Sequence, residues 1–189
     1  MHTQSKIIFL NGVGSVGKTS IAKMLQSLLD EAYLHVGVDQ FIDMLPEKYI
    51  NNSEGISFNP LKINQINNKP TIEITTGKIG KNALRGMRHA IAALADQGNN
   101  LIIDEVIIGN EMDEYKKLLS PFQVFYVGIF APLEVIEERE RSRKDRLIGL
   151  GRWQYNLVHQ DKSYDLEIDT TTLSPLDCAK LIKNKFNLS

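Results

Sequence analysis

The chain has 189 residues, 42% of them apolar and 24% charged, a length and balance suited to one buried core. Lys and Arg number 22 against 23 Asp and Glu, so no whole-chain field favours nucleic acid or an anionic membrane, and neither is expected as a partner. The single Cys178 excludes an intrachain disulfide and a cysteine-built zinc site, and it fits a reducing, cytoplasmic setting.

Residues 1–6 are polar apart from Met1 and precede only four strongly apolar positions, Ile7 to Leu10. That run is too short for a signal-peptide core or for a membrane span of about 20 residues. It reads instead as a strand buried on both faces. Ile21, Leu25, Leu28 and Leu29 then recur at helical spacing and predict a first helix from about Lys18 to Asp30. Leu34 to Val38 predicts a second strand, and Gln40 to Leu45 can be helical. Leu84, Met87, Ile91, Leu94 and Ala95 share one helical face, which Gly98 stops. Leu101 to Ile103 predicts a third strand ending in Asp104-Glu105, and Phe122 to Ile129 a fourth. Pro132 opens a charged helix reaching about Lys144. Leu166 to Ile168 is a short last strand, and Pro175 opens a closing helix with Leu176, Ala179, Leu181 and Ile182 facing inward and Cys178 as a small buried hydrophobe.

Strands alternating with helices predict an α/β domain, a parallel sheet flanked by helices, spanning residues 1–189. Residues 46–77 break the rhythm: they are rich in Asn, carry Pro60 and Pro70, and include the β-prone Thr71-Ile72-Glu73-Ile74. An excursion of that length is more often functional than connective.

The chemistry begins at Gly12-Val13-Gly14-Ser15-Val16-Gly17-Lys18-Thr19, which satisfies G-x-x-x-x-G-K-[ST] between an apolar strand and a helix. Glycines let successive backbone N–H groups turn toward phosphate oxygens, and the helix start adds its positive dipole end. Lys18 can reach the β- and γ-phosphates, and Thr19 offers a hydroxyl to Mg²⁺. A bound nucleoside triphosphate follows.

Which class of triphosphate protein this is depends on the residues around the cradle. A guanine-nucleotide switch carries N-K-x-D; the nearest string, Asn184-Lys185-Phe186-Asn187, lacks the Asp. A kinase needs a carboxylate for the acceptor and cations over the moving phosphoryl group. Asp39, after Val36-Gly37-Val38, lies at the carboxyl end of a strand, where ligands bind in open α/β sheets. It is either the acceptor's base, a helix N-cap, or both. In the run from Glu137 to Arg146, Glu137 can pair Arg141 and Glu140 can pair Lys144. Arg139, Arg143 and Arg146 stack on one face with less acidic relief, so residues 132–150 read as an arginine lid, against the alternative of a solvated helix. Asp104 stands where a strand-end carboxylate holds Mg²⁺ or serves local hydrogen bonds, with Glu105 second in line. None of the four His is assigned to catalysis or metal.

Taken together and in order, the cradle, Val36-Gly37-Val38-Asp39, Ile102-Ile103-Asp104-Glu105, Arg139-x-x-x-Arg143-x-Asp145-Arg146 and Tyr164-Asp165-x-Glu167-x-Asp169-Thr170-Thr171 resemble chloramphenicol phosphotransferase. The resemblance covers nearly the whole chain and implies a three-layer P-loop kinase fold that uses ATP and Mg²⁺ to phosphorylate a primary hydroxyl of the antibiotic, hence antibiotic resistance. It implies Asp39 as catalytic aspartate, Gly12, Gly17, Lys18 and Thr19 in the phosphate loop, and Arg139, Arg143 and Arg146 in the lid. Thr19 replaces the family's usual Ser and keeps its hydroxyl. Residues 46–77, where the acceptor side is expected, have no clear match, so the acceptor is a small-molecule alcohol of open identity. A kinase of another acceptor (a nucleoside or sugar nucleotide) and a nucleotide-dependent binding protein without catalysis remain the alternatives, and the sequence sets no oligomeric state.

Overall fold

Four consecutive apolar residues are satisfied only where both faces of a strand are covered, and β1 (Lys6–Gly12) meets that condition. In the computed structural model, which describes residues 4–61, 69–143 and 147–189, Ile7, Ile8, Phe9 and Leu10 have no exposed surface. β1 is the middle of a five-stranded parallel sheet ordered β2 (Tyr33–Gly37), β5 (Asn100–Glu105), β1, β6 (Gln123–Phe130), β7 (Leu166–Asp169).

The alternation of side chains along each strand sorts the core into two halves. Ile8 and Leu10 join Ile102, Val127 and Ile129 beneath α1 (Lys18–Leu28), α5 (Leu133–Ser142) and α7 (Pro175–Lys185). Ile7 and Phe9 join Leu101 and Ile103 beneath α3 (Lys78–Asp96) and α4 (Glu111–Leu118). Helices therefore cover both faces, giving the three-layer α/β architecture that the alternating pattern predicts.

Three differences from the sequence reading have physical causes. α4 was invisible because it is short and charged and buries only Met112 and Tyr115. α6 (Leu150–Tyr155) is shorter still and buries Gly151 and Gln154, neither of them an apolar marker. In α7 the inward residues are Cys178, Ala179 and Ile182, whereas Leu176 and Leu181 are 40% and 45% exposed. The expected inward set there is corrected: positions 178, 179 and 182 form the i, i+1, i+4 stripe that meets α1, and both leucines fall on its flanks.

Residues 46–77 are not a free excursion. β3 (Ile56–Pro60) and β4 (Ile72–Thr76) pair antiparallel as a separate two-stranded sheet, with Ile56 opposite Thr76 and Pro60 opposite Ile72. Its base is docked on the start of α3: Gly77 N–H donates to Gly55 O at 2.8 Å, and Ile79 N–H to Glu54 O at 2.8 Å. A Cβ at Gly77 would sit 2.0 Å from Ser53 O, so only glycine allows the approach. Among the described residues, no helix is long and apolar enough to cross a membrane.

Candidate active site

The turn from β1 into α1 is closed by backbone geometry that few residues tolerate. A Cβ at Gly12 would lie 2.5 Å from Ile129 O on the neighbouring β6, which explains the glycine there. Ser15 (φ 63°) and Gly17 (φ 109°) both adopt left-handed conformations and wind Val13, Gly14 and Val16 into a concave loop. The Ser15 hydroxyl is buried with no hydrogen-bond partner among the described residues. Lys18, 6% exposed, folds back over this concavity and donates from Nζ to Gly12 O at 2.9 Å and Val13 O at 3.1 Å.

Strand alternation decides which acid of the Asp104-Glu105 pair joins the loop. Asp104 shares the face of Ile102, toward α1, and its Oδ2 accepts from Thr19 Oγ1 at 2.6 Å. Lys18 Nζ stands 3.6 Å from Asp104 Oδ1, and His35 Nε2 stands 3.6 Å from Oδ2. Burial alone would raise this carboxyl; the Lys18 charge, the His35 ring and the Thr19 hydroxyl outweigh it and hold Asp104 below its ordinary range. An ionised carboxylate touching the Thr19 hydroxyl is a donor pair suited to a divalent cation carried in on a triphosphate. Among the described residues there is no cluster of three or more acidic, His or Cys side chains that could hold a metal unaided.

Glu105 points the opposite way. Tyr115 Oη donates to its Oε1 at 2.6 Å and Val106 N–H to its Oε2 at 3.2 Å. Burial pushes its carboxyl up to about 7, a rise that the Tyr115 hydrogen bond only partly opposes. The second-choice metal role for Glu105 is therefore corrected: it belongs to the α4 side of the sheet.

Asp39 lies on α2 (Val38–Ile42), two residues beyond Gly37, whose Cα partner in β5 is Asp104. The N-cap of this helix is Gly37, whose N–H donates to Gln40 Oε1 at 2.8 Å, so Asp39 is not the cap but a first-turn residue. Val38 and Phe41 pack on the α3 side of the core, while Asp39 is exposed. β2 does not adjoin β1; β5 intervenes, so the strand that leads into Asp39 lies two strand spacings, about 10 Å, from β1.

The arginines take distinct places. Arg139 donates from Nη1 to Val16 O at 3.2 Å and Thr170 Oγ1 at 3.0 Å, and from Nη2 to Thr170 O at 2.7 Å. It ties α5 to the loop and to the end of β7. Arg143 follows the last turn of α5, and both arginines line a hollow of about 270 Å³ with Ser15, Gly17, Leu173 and Pro175. Arg146 lies outside the described residues, as do residues 62–68 within the 46–77 segment.

The underside of α5 is not a solvated face. Glu137 pairs with Arg152 of α6 and with Lys69 at 3.0 Å, while its expected partner Arg141 is 4.0 Å away. Glu140 is 2% exposed and accepts from Gly149 N–H at 3.0 Å and Gly151 N–H at 2.6 Å, capping α6 from outside. The same Gly149 accepts from Ile72 N–H of β4 at 3.1 Å, so the lid helix, α6 and the hairpin form one connected unit. From α6, Gln154 Oε1 accepts from Gly14 N–H of the loop at 2.8 Å. Sequence reasoning gives Glu137 and Glu140 only the local partners Arg141 and Lys144, the latter outside the described residues, and does not find Gln154, because the partners they take here are brought near only by folding. Thr170 was legible in the Asp169-Thr170-Thr171 string without a role. His159, stacked on Phe130 at 3.8 Å and held down to about 4 by burial of its ring, is a neutral packing residue.

The family described as chloramphenicol phosphotransferase-like protein matches residues 5–187. Two Mycobacterium tuberculosis proteins, of strains CDC 1551 and H37Rv and each provisionally named an O-phosphotransferase, are 28% identical over 194 residues, covering 97% of this chain and 83% of theirs. Among solved structures, the fold is similar to that of the Mycobacterium tuberculosis APS kinase CysC in complex with AMPPNP and APS (TM-score 0.65, 15% identity, 97% and 98% of the two chains). It is also similar to the Deinococcus radiodurans tunicamycin resistance protein (0.63, 18%, 98% of each). A gluconokinase from Sinorhizobium meliloti 1021 aligns likewise (0.63, 14%, 99% and 94%).

Proposed function

Because the chain belongs to the chloramphenicol phosphotransferase-like family, we propose that it is an ATP-dependent kinase moving the γ-phosphoryl group to a hydroxyl of a small molecule. The observation that carries the reading is the contact of Thr19 Oγ1 with Asp104 Oδ2 at 2.6 Å beside Lys18, on the sheet edge that also carries Asp39.

The loop from Gly12 to Thr19 holds the triphosphate, with the nucleoside end directed to the hollow under Arg139 and Arg143. Thr19 and Asp104 would hold Mg²⁺, which when bound supplies neutralisation of phosphate charge. Asp39 orients the acceptor hydroxyl. As the acceptor oxygen bonds to the γ-phosphorus, the bond to the departing ADP oxygen breaks and the hydroxyl proton passes to the Asp39 carboxylate. Such transition states are loose, so placement of the acceptor matters more than the strength of the base. The acceptor enters between α2 and the β3–β4 hairpin, and its class, an antibiotic alcohol or another, is read there.

The test is transfer of γ-labelled phosphate from ATP to a panel of alcohols, including chloramphenicol, a nucleoside and a sugar acid. Labelled product from one of them, lowered on the order of 10²-fold or more by Asp39→Asn with nucleotide affinity unchanged, is expected. Tight nucleotide binding with no product across the panel would return the chain to a binding protein.

A further inference from the structure

Gln154 has no part in the reading above, yet it stands where a phosphoryl group needs a donor. It is 3% exposed, unusual for a glutamine, and the one hydrogen bond of its side chain among the described residues is from Gly14 N–H to Oε1 at 2.8 Å. A backbone N–H can only donate, so the oxygen end of the carboxamide must face Gly14 and the amino end must face elsewhere. That Nε2 group has no acceptor among the described residues, and it is not among the atoms sealed from solvent. An amide donor beside the third residue of a phosphate loop, open to solvent and without a protein acceptor among the described residues, is available to an acceptor that enters the loop.

The helix bearing it is fixed from two sides. Glu140 caps α6 at Gly149 and Gly151, and β4 donates to Gly149 O at 3.1 Å. Gly149 is left-handed (φ 98°), and a Cβ there would lie 2.4 Å from Pro70 O, so the junction admits little else. The carboxamide is thus held by the lid helix and by the acceptor-side hairpin, while its oxygen rests on the loop.

We propose that Gln154 binds the transferred phosphoryl group, with Oε1 anchored on Gly14 and Nε2 donating to a terminal phosphoryl oxygen. The inference rests on the reading of the loop as a triphosphate site. In the transfer, the acceptor oxygen–phosphorus bond forms, the bond to the leaving ADP oxygen breaks, and the acceptor proton goes to Asp39; Gln154 keeps its own protons and contributes only the hydrogen bond.

Discrimination between ADP and a non-hydrolysable triphosphate, measured by calorimetric titration without any acceptor, tests this directly. Gln154→Met preserves the volume packed under α5 but lacks the amide. It should bind ADP as the wild type does, bind the triphosphate roughly 3- to 10-fold more weakly, and lower kcat more than it raises the acceptor KM. Gln154→Glu should lose triphosphate affinity further, because it sets a carboxylate against the terminal phosphate, while ADP binding changes less. Equal losses for ADP and triphosphate, or none for either, would make Gln154 a mere brace of the loop and overturn the proposal. If the wild type discriminates between the nucleotides through Gln154 yet phosphorylates no alcohol, the kinase reading falls and the phosphoryl-binding role stands.

Discussion

The phosphate loop and the unit formed by the β3–β4 hairpin and α6 are built on different principles. The loop is embedded: β1 is buried on both faces, α1 is packed through Ile21, Ala22 and Leu25, and the key polar contact, Thr19 to Asp104, ties α1 to β5. The hairpin and α6 are joined to α5 chiefly by polar ties, through Glu137, Glu140 and the Gly149–Ile72 hydrogen bond. Elements held by few buried contacts open at lower free energy than core elements. On the proposed reading, the donor side is the more rigid of the two and the hairpin with α6 the more adaptable.

The sharpest way to break the comparison is at Lys18. Lys18→Ala removes the cation that faces both the loop carbonyls and Asp104, so turnover should fall on the order of 10²- to 10³-fold together with triphosphate affinity, while Tm stays close to wild type. An unchanged nucleotide titration would show that the loop is not the binding site. A smaller effect is expected at Glu140. Glu140→Ala leaves the Gly149 and Gly151 N–H groups without acceptors, which costs about 1–3 kcal/mol in chemical denaturation. If the two regions are separable, that variant keeps its ADP affinity and loses acceptor affinity; loss of both would merge them.

The smallest effect is a matter of pH. The Glu105 carboxyl, pushed up to about 7 by burial from an ordinary 4.5, keeps a proton in the folded chain that the unfolded chain releases. Stability from its neutral form is complete below about pH 4.5 and declines as pH rises through about 7. Asp104 has the opposite sign: held below its ordinary range, its contribution is lost only as acid protonates it. Glu105→Gln should flatten the fall of Tm on the neutral side without changing the acid limb, as differential scanning fluorimetry across pH would report.

The same division governs what could be read in the sequence. The loop was legible because its chemistry is contiguous: eight residues carry the turn, the cation and the hydroxyl, and the flanking periodicities supply strand and helix. Asp104 was legible as the end of an apolar run. Its separation from Glu105 was not, since which of two adjacent acids faces α1 depends on the phase of the strand in the sheet. Likewise the inward set of α7 takes in Leu176 and Leu181 where leucine content is read in place of phase; Ala179, Ile182 and the buried Cys178 are inward as expected, and the two leucines are not. Glu137 and Glu140 looked like members of a mixed charge run until folding supplied Arg152, Lys69 and two glycine amides as partners. Gln154 carried no local signal, as its partner Gly14 is 140 positions away.

The back-to-back arrangement of Asp104 and Glu105 has a consequence for how this gene can vary. Inserting or deleting one codon between Leu101 and Ile103 would turn the strand end over, presenting the longer glutamate side chain to Thr19 and Lys18 and leaving the shorter aspartate on the Tyr115 side. Length changes in that short stretch should be purged far more strictly than point substitutions among its aliphatic residues.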